Sequence, residues 1–340
     1  MEKKTKSGLI VFLLLVLVTI AVLLINTLSS RKVLSARISD SNLTSAPVTN
    51  NKNFDKSQMR NYKNKYIAAL FIEGQISEEN VDYNQKWLLS AIKKLKNDKN
   101  NEALAIFVNS PGGAVYQADE AYLALQDYKT TGKPIYVYQG SMAASGGYYI
   151  SCAADQIYAN RNTLTGCIGV ISGTTFDMTE FLDNLGIKSE TIHSGKNKNM
   201  MNFNEPFTDE QKEIMQSISD ECYEQFVSIV ANARKMTYSQ AANLSDGRLY
   251  TAKQALENGL IDRIDSWENM IEHLSEKIEM PGIKVKTFKK EKKTSFFDLV
   301  TGNAKNLSDA FVAGKLGLPI EIVNQMNDNK IEPKYLVPGF

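Results

Sequence analysis

From Tyr66 onward the chain alternates short, wholly apolar runs with stretches of helical period, and this alternation leaves few folds open. YIAALFI, residues 66–72, is apolar without interruption, the pattern of a strand buried on both faces. Trp87, Leu88, Ala91, Ile92 and Leu95 then recur at three- and four-residue spacing, as on one face of a helix. The same reading predicts strands at 103–108 (ALAIFV), 134–138 (PIYVY), 157–159, 167–171 and 190–193, with helices at 116–128 and 145–154 between them. Short strands alternating with helices predict an α/β fold around a largely parallel sheet. Thr208 and Gln211 have capping-box spacing and predict a long helix to about Arg234, with Ile214, Ile218, Cys222, Phe226 and Ile229 on one face. A last short helix, 252–258, ends at Gly259, a residue suited to closing a helix.

A second feature concerns where this fold sits. Leu9 to Ile25 reads LIVFLLLVLVTIAVLLI, and Gly8–Leu28 as a helix reaches roughly 30 Å, the thickness of a bilayer core. The block is longer than the apolar part of a cleavable signal peptide, and no convincing cleavage site follows it. An uncleaved signal anchor is expected. Lys3, Lys4 and Lys6 precede the block and Arg31 and Lys32 follow it, which favours a cytoplasmic N-terminus and an extracytoplasmic remainder. The expected organisation is a cytoplasmic N-terminus at 1–7, a transmembrane segment at 8–28 and a Ser/Asn/Thr/Lys-rich stalk at 29–65. A folded domain at 66–265 and an extension at 266–340 follow. Within that extension 284–293 carries six lysines, expected as a solvated loop before an amphipathic helix near Phe296–Val300.

Composition removes several function classes. Thirty-nine basic against thirty-eight acidic residues leave a net charge of +1, no electrostatic basis for binding nucleic acid. Two histidines and three cysteines supply little for a metal site, and no cofactor is expected. Cys152, Cys167 and Cys222 lack C-x-x-C spacing and are expected as free thiols. No G-x-x-x-x-G-K-[ST] segment is present, which speaks against an ATP-driven protease.

Two segments point to chemistry. Asn109-Ser110-Pro111-Gly112-Gly113 follows a predicted strand and precedes a predicted helix. Its glycines permit a backbone that aims N–H groups into the crevice where parallel sheets bind ligands, although a plain βα turn reads the same way. Gly140 to Tyr149, GSMAASGGYY, sits in the same context one strand over. Ser145 would stand at the helix N-terminus, either as a simple cap or as a nucleophile whose oxyanion the helix end stabilises. A nucleophile of this kind needs a base. His193 is the histidine available for a triad, since His273 falls on a late helix expected at the surface. Lys198, with Met200 and Met201 beside it and Lys196 two residues before, is the other candidate. A lysine base must be held neutral, its pKa lowered from about 10.4 toward about 7 by desolvation or a like charge. Spacing by itself favours a solvated basic loop.

Taken in order, NSPGG, GSMAASGGYYIS, LTGCIGVI, HSGKNK and SDGRLYTAKQALENGLID resemble the signal peptide peptidase A family over about residues 65–265. The resemblance implies a Clp/crotonase-like fold of repeated strand-strand-helix units and a membrane-anchored serine endopeptidase with a Ser/Lys dyad. Ser145 matches the nucleophile. Lys198 matches the general base at the end of S-G-x-x-K, with Lys196 as a fallback, and Gly113 and Gly146 match the oxyanion-hole positions. Cys167 stands where relatives commonly carry a serine that orients the lysine. The resemblance further implies homo-oligomers in which neighbouring protomers complete the dyad, and remnant signal peptides or other apolar peptides as substrates. An acyl-CoA enzyme of the crotonase type and a non-catalytic membrane scaffold are the competing readings. Extracytoplasmic placement argues against the first, and the joint presence of Ser145, Gly113 and Lys198 against the second.

Overall fold

The unbroken apolar run at the start of the domain forms an interior strand of a parallel sheet. The computed structural model describes residues 62–290 and the backbone of a short strand at Lys334–Leu336. The expected anchor at 8–28, most of the stalk and the expected helix near 296–300 lie outside the described residues. Among the described residues no helix is long and apolar enough to cross a membrane.

In chain order the strands are β1 (Tyr66–Glu73), β2 (Asn101–Ser110), β3 (Gly112–Ala114), β4 (Ile135–Ala144) and β5 (Gln156–Ala159). They continue with β6 (Leu164–Gly166), β7 (Leu249–Thr251), β8 (Arg263–Ile264), β9 (Lys284–Phe288) and β10 (Lys334–Leu336). The described helices are α1 (Gln85–Asn97), α2 (Val115–Lys129), α3 (Gly146–Ser151), α4 (Thr179–Asn184) and α5 (Asp209–Arg234). They end with α6 (Tyr238–Asn243), α7 (Ala252–Glu257) and α8 (Trp267–Lys277). An eight-stranded sheet runs β7-β6-β4-β2-β1-β9, with β5 beside β4 and β8 beside β5. Its pairings are parallel except that of β6 with β7. This is the α/β architecture expected of the alternation.

Both sheet faces are covered, which is why its central strands read as continuous apolar runs. On one face Leu70, Ile72, Ile106, Val108 and Val137 pack against α1, α2 and α3 and the last turns of α5. On the other, Ile67, Ala103, Ala105, Tyr136, Tyr138 and Tyr158 meet Met270 and Leu274 of α8. Arg234 closes α5 onto the sheet. Its guanidinium donates to both oxygens of Asp262, at 3.0 and 2.7 Å, and to the Gly259 carbonyl at 2.7 Å. Asp262 in turn accepts from the Ile157 N–H of β5.

Several expectations need correction. Residues 167–171 are not a strand: β6 ends at Gly166, because Gly166 (φ +80°) and Cys167 (φ +50°) turn the chain out of extended geometry. Residues 190–193 lie in exposed, irregular backbone with Ile192 97% exposed, so no sheet neighbour pairs them. The Thr208 capping box is present, yet the buried residues of α5 are Gln211, Met215, Phe226, Val227, Val230 and Ala231, and Ile218 is exposed. In the first half of that helix the buried residues are Gln211 and Met215, so the predicted apolar face is not the packed one there. The sheet also continues beyond Asp265. The lysine-rich run begins as β9, an edge strand parallel to β1, where Lys286 lies 3.7 Å over the Tyr66 ring. Lysines blunt such an edge against further pairing. His273 is half-buried, 3.1 Å from the Tyr158 hydroxyl, and braces α8 against the sheet.

Candidate active site

The site grows from a bulge in β4. Val108 pairs with Gln139, but Ser110 pairs with Ala143, so Gly140, Ser141 and Met142 stand opposite Asn109 alone. The Asn109 side chain closes the gap, accepting from the Ser141 hydroxyl at 2.7 Å and the Met142 N–H at 3.1 Å. On the other side Thr165 donates its hydroxyl to the Ala143 carbonyl at 2.7 Å. These bonds fix where β4 ends, and the next residue is Ser145.

Ser145 has φ 52° and ψ −117°, between strand and helix. Such a conformation is costly for a residue with a Cβ and persists where its surroundings enforce it. Its N–H donates to Gly166 at 2.7 Å, and its carbonyl accepts from Tyr149 at 2.8 Å. The side chain makes no cap hydrogen bond to α3, which removes the reading of Ser145 as a simple helix cap. The residue is 1% exposed and its Oγ is buried without a hydrogen-bond partner. A buried hydroxyl left unpaired costs about 1–3 kcal/mol, and positions of that kind gather at functional sites. Small neighbours make the turn possible: a Cβ on Gly147 would stand 3.0 Å from the Ser110 carbonyl. Tyr148 donates to the Leu260 carbonyl and Tyr149 to Asp119, which holds α3 in place.

The glycine segment faces this turn from the end of β2, the strand beside β4. Ile76 forms a parallel bridge to Gly113, donating its N–H to the Gly112 carbonyl at 2.8 Å and accepting from Ala114 at 2.9 Å. A Cβ at residue 113 would sit 1.8 Å from the Ile76 oxygen, so glycine is required there. Because Gly112 and Ala114 spend their groups on Ile76, the N–H and C=O of Gly113 point to the opposite edge of β3. Gly146 opens α3, where first-turn N–H groups lack intrahelical acceptors. A buried hydroxyl and two main-chain N–H positions are thus brought to the ends of neighbouring strands, groups of the kind acyl transfer uses for its nucleophile and oxyanion donors.

The expected base is not brought there within one chain. Lys198 is exposed, in a turn closed by its N–H to the Gly195 carbonyl. Lys196 pairs with Glu210 at the surface. The expected apolar cover from Met201 goes elsewhere, since that residue, at φ +66°, packs over Gly173. His193 is also exposed, with Nδ1 3.1 Å from the Gly195 carbonyl. Cys167 is buried against Ala144 and Met142, and burial pushes its thiol pKa up. Cys152 is pushed up to about 12 by the same cause, and all three cysteines are free thiols.

Comparison with known proteins bears on this geometry. A family model described as Peptidase family S49 matches residues 127–280, a stretch holding Ser145 and Lys198. A protein of Enterococcus faecium named for signal peptide peptidase SppA is 35% identical over 262 residues, 75% of this chain and 71% of that protein. The chain belongs to peptidase family S49. It is a serine peptidase of the signal peptide peptidase A family. Protease 4 of Haemophilus influenzae is 26% identical over 84% of this chain and 47% of its own length. Among solved structures, a ClpP1 mutant from Listeria monocytogenes aligns with 58% of this chain and 91% of its own at 18% identity and a TM-score of 0.40.

Two features beside the candidate site escaped the sequence reading. Ile76 acts through its backbone alone, which no residue type advertises. Residues 334–336 form β10, antiparallel to β3, and three residues carry too little periodicity to announce a strand.

Proposed function

We propose that this chain is a membrane-anchored serine endopeptidase that degrades remnant signal peptides through a Ser145/Lys198 dyad. In this reading it has a Clp/crotonase-like fold and an N-terminal transmembrane helix, with the catalytic domain on the extracytoplasmic side of the cell membrane. The observation that carries the proposal is the buried, unpartnered Ser145 Oγ at a strained strand-to-helix turn. Neutral Lys198 Nζ takes the proton as Oγ attacks the scissile carbonyl, and the N–H groups of Gly113 and Gly146 hold the oxyanion. Collapse breaks the C–N bond, and Lys198 returns the proton to the leaving amine. The resulting ester on Ser145 is hydrolysed by a water that gives its proton to Lys198, releasing the acid and restoring the hydroxyl. Atoms and charge balance in both halves, and no cofactor takes part.

The exposure of Lys198 in a single chain supports a homo-oligomer in which a neighbour's Lys198 reaches Ser145 and becomes desolvated there. The apolar anchor sequence and the family's naming for signal peptides support lipid-released apolar peptides as substrates. A fluorophosphonate or sulfonyl probe is expected to label Ser145 and no other serine, with labelling lost in Ser145→Ala. His193 lies on the same arm as Lys198, so both are tested. Retained cleavage in Lys198→Ala with loss in His193→Ala replaces the dyad by a triad.

A further inference from the structure

A cavity of about 790 Å³ lies at the end of the sheet opposite Ser145, and the peptidase chemistry makes no use of it. Its walls are residues that lead into parallel strands: Lys65 precedes β1, Lys99 β2, Lys133 β4 and Asp155 β5. Lys129 and Lys277 join them from the last turns of α2 and α8. Five lysines thus share one hollow with two carboxylates, Glu102 and Asp155, which leaves a net charge of +3. Both carboxylates are already used, Glu102 by Lys65 and Asp155 by Lys129 at 2.8 Å. The Asp98 carboxylate accepts from the Tyr66 hydroxyl, on a ring that Lys286 covers. Among the described residues no carboxylate forms an ion pair with Lys99, Lys133 or Lys277. Lys133 donates to the main-chain oxygens of Lys96 and Asp98, at 3.4 and 2.9 Å, and burial pushes its pKa down.

The plain role for such lysines is to balance helix ends, since a helix C-terminus carries about half a negative charge. α1, α2 and α8 all end here, which takes up only about half of the excess. A hollow that stays positive after its own walls are paired suits an anion with several oxygens, such as a phosphate. Position selects among phosphates. The described chain begins at this end, where Tyr62 packs on the cluster of Met270 and Leu274 and accepts from the Lys65 N–H at 2.9 Å. The sequence just upstream leads back to the apolar block Leu9–Ile25.

We propose that this lysine cavity binds the phosphates of anionic lipid headgroups and seats the domain on the membrane by the N-terminal ends of its strands. The inference rests on the anchor reading above. β4 runs ten residues from this end to Ser145, so the seating holds the nucleophile roughly 30 Å from the lipid, where a peptide is cut after it has left the bilayer.

The test uses the full chain in phosphatidylcholine nanodiscs, with or without roughly one part in three phosphatidylglycerol. Lysines are acetylated briefly and quantified by mass spectrometry, with the exposed Lys253 of α7 as reference. Each lysine near an anionic surface strengthens binding about fivefold, so Lys99 and Lys277 should be protected at least about tenfold in the anionic discs. Lys253 should change by less than about twofold, and about 0.5 M NaCl should remove the protection by cutting the screening length to roughly 4 Å. Combining Lys99→Gln, Lys133→Gln and Lys277→Gln should make Lys129 equally reactive in both discs, with cleavage of a soluble peptide within about twofold of the parent. Equal reactivity of Lys99 and Lys277 in the two discs overturns the proposal. Equal protection by inorganic phosphate in neutral discs also overturns it, because the anion is then a free one. If the chain does not co-elute with discs, the anchor reading fails instead. Co-sedimentation with phosphatidylglycerol but not phosphatidylcholine vesicles, lost in the triple variant, then still upholds the cavity, and its absence overturns it.

Discussion

The turn around Ser145 and the arm that carries Lys198 are built on opposite terms. Around Ser145 residues 143–153 are buried, glycines admit backbone at near-contact distance, and side chains from β2 and β6 fix the end of β4. Along the arm, α4 has no buried residue, Ile187 and Ile192 face solvent, and Lys196 spends its charge on a surface glutamate. The contrast teaches that the Ser145 turn and the Gly113 strand are fixed by folding, whereas Lys198, the base proposed above, gains no burial within the single chain. An exposed amine has no burial to favour its neutral form, and a buried hydroxyl has nothing to give its proton to.

That asymmetry can be broken from either side. The largest effect is expected at the two reacting groups. Ser145→Ala and Lys198→Ala should each reduce kcat by at least about a thousandfold in a peptide-cleavage assay. Lys196→Ala removes an exposed ion pair and should stay within about twofold of the parent, since such pairs contribute about 0–1 kcal/mol. A Lys196→Ala loss as deep as that of Lys198→Ala would move the base to residue 196.

Next comes the donor strand. Gly113→Ala forces β3 away from Ile76 and should lower kcat by about a hundredfold, the scale of losing one oxyanion donor. Circular dichroism and thermal midpoint should change little, because β3 lies outside the main sheet. Unchanged kcat would remove Gly113 from the site. The smallest kinetic effect should come from Arg234, far from the arm but essential to the fixed half. Arg234→Ala leaves Asp262 uncompensated and should destabilise the fold by about 3 kcal/mol in chemical denaturation. Turnover per folded molecule should hold within about twofold at temperatures well below the transition.

The legibility of the sequence follows the same division. The strands predicted at 66–72, 103–108 and 134–138 announced themselves because both sheet faces are buried, and Ser145 because small residues crowd one side of it. The Thr208 cap was readable since its chemistry is local. Where structure depended on distant partners, pattern failed. Cys167–Ile171 is apolar enough for a strand, but Gly166 and Cys167 turn away to meet Arg248, whose carbonyl accepts the Cys167 N–H. The lysines of β9 read as solvent because an edge strand next to β1 tolerates them. Ser145 stands at a strand-to-helix turn and Gly113 just past β2, whereas Lys198 is exposed in the isolated chain.

The central claim is that a second copy supplies the base, and mixing inactive variants addresses it most directly. Ser145→Ala and Lys198→Ala chains are combined in equal amounts, dissociated and reassembled, and assayed on an apolar peptide. If each site pairs one protomer's Ser145 with its neighbour's Lys198, about a quarter of wild-type activity returns in a randomly assembled ring. Activity that stays at the level of the separate variants would contradict the account.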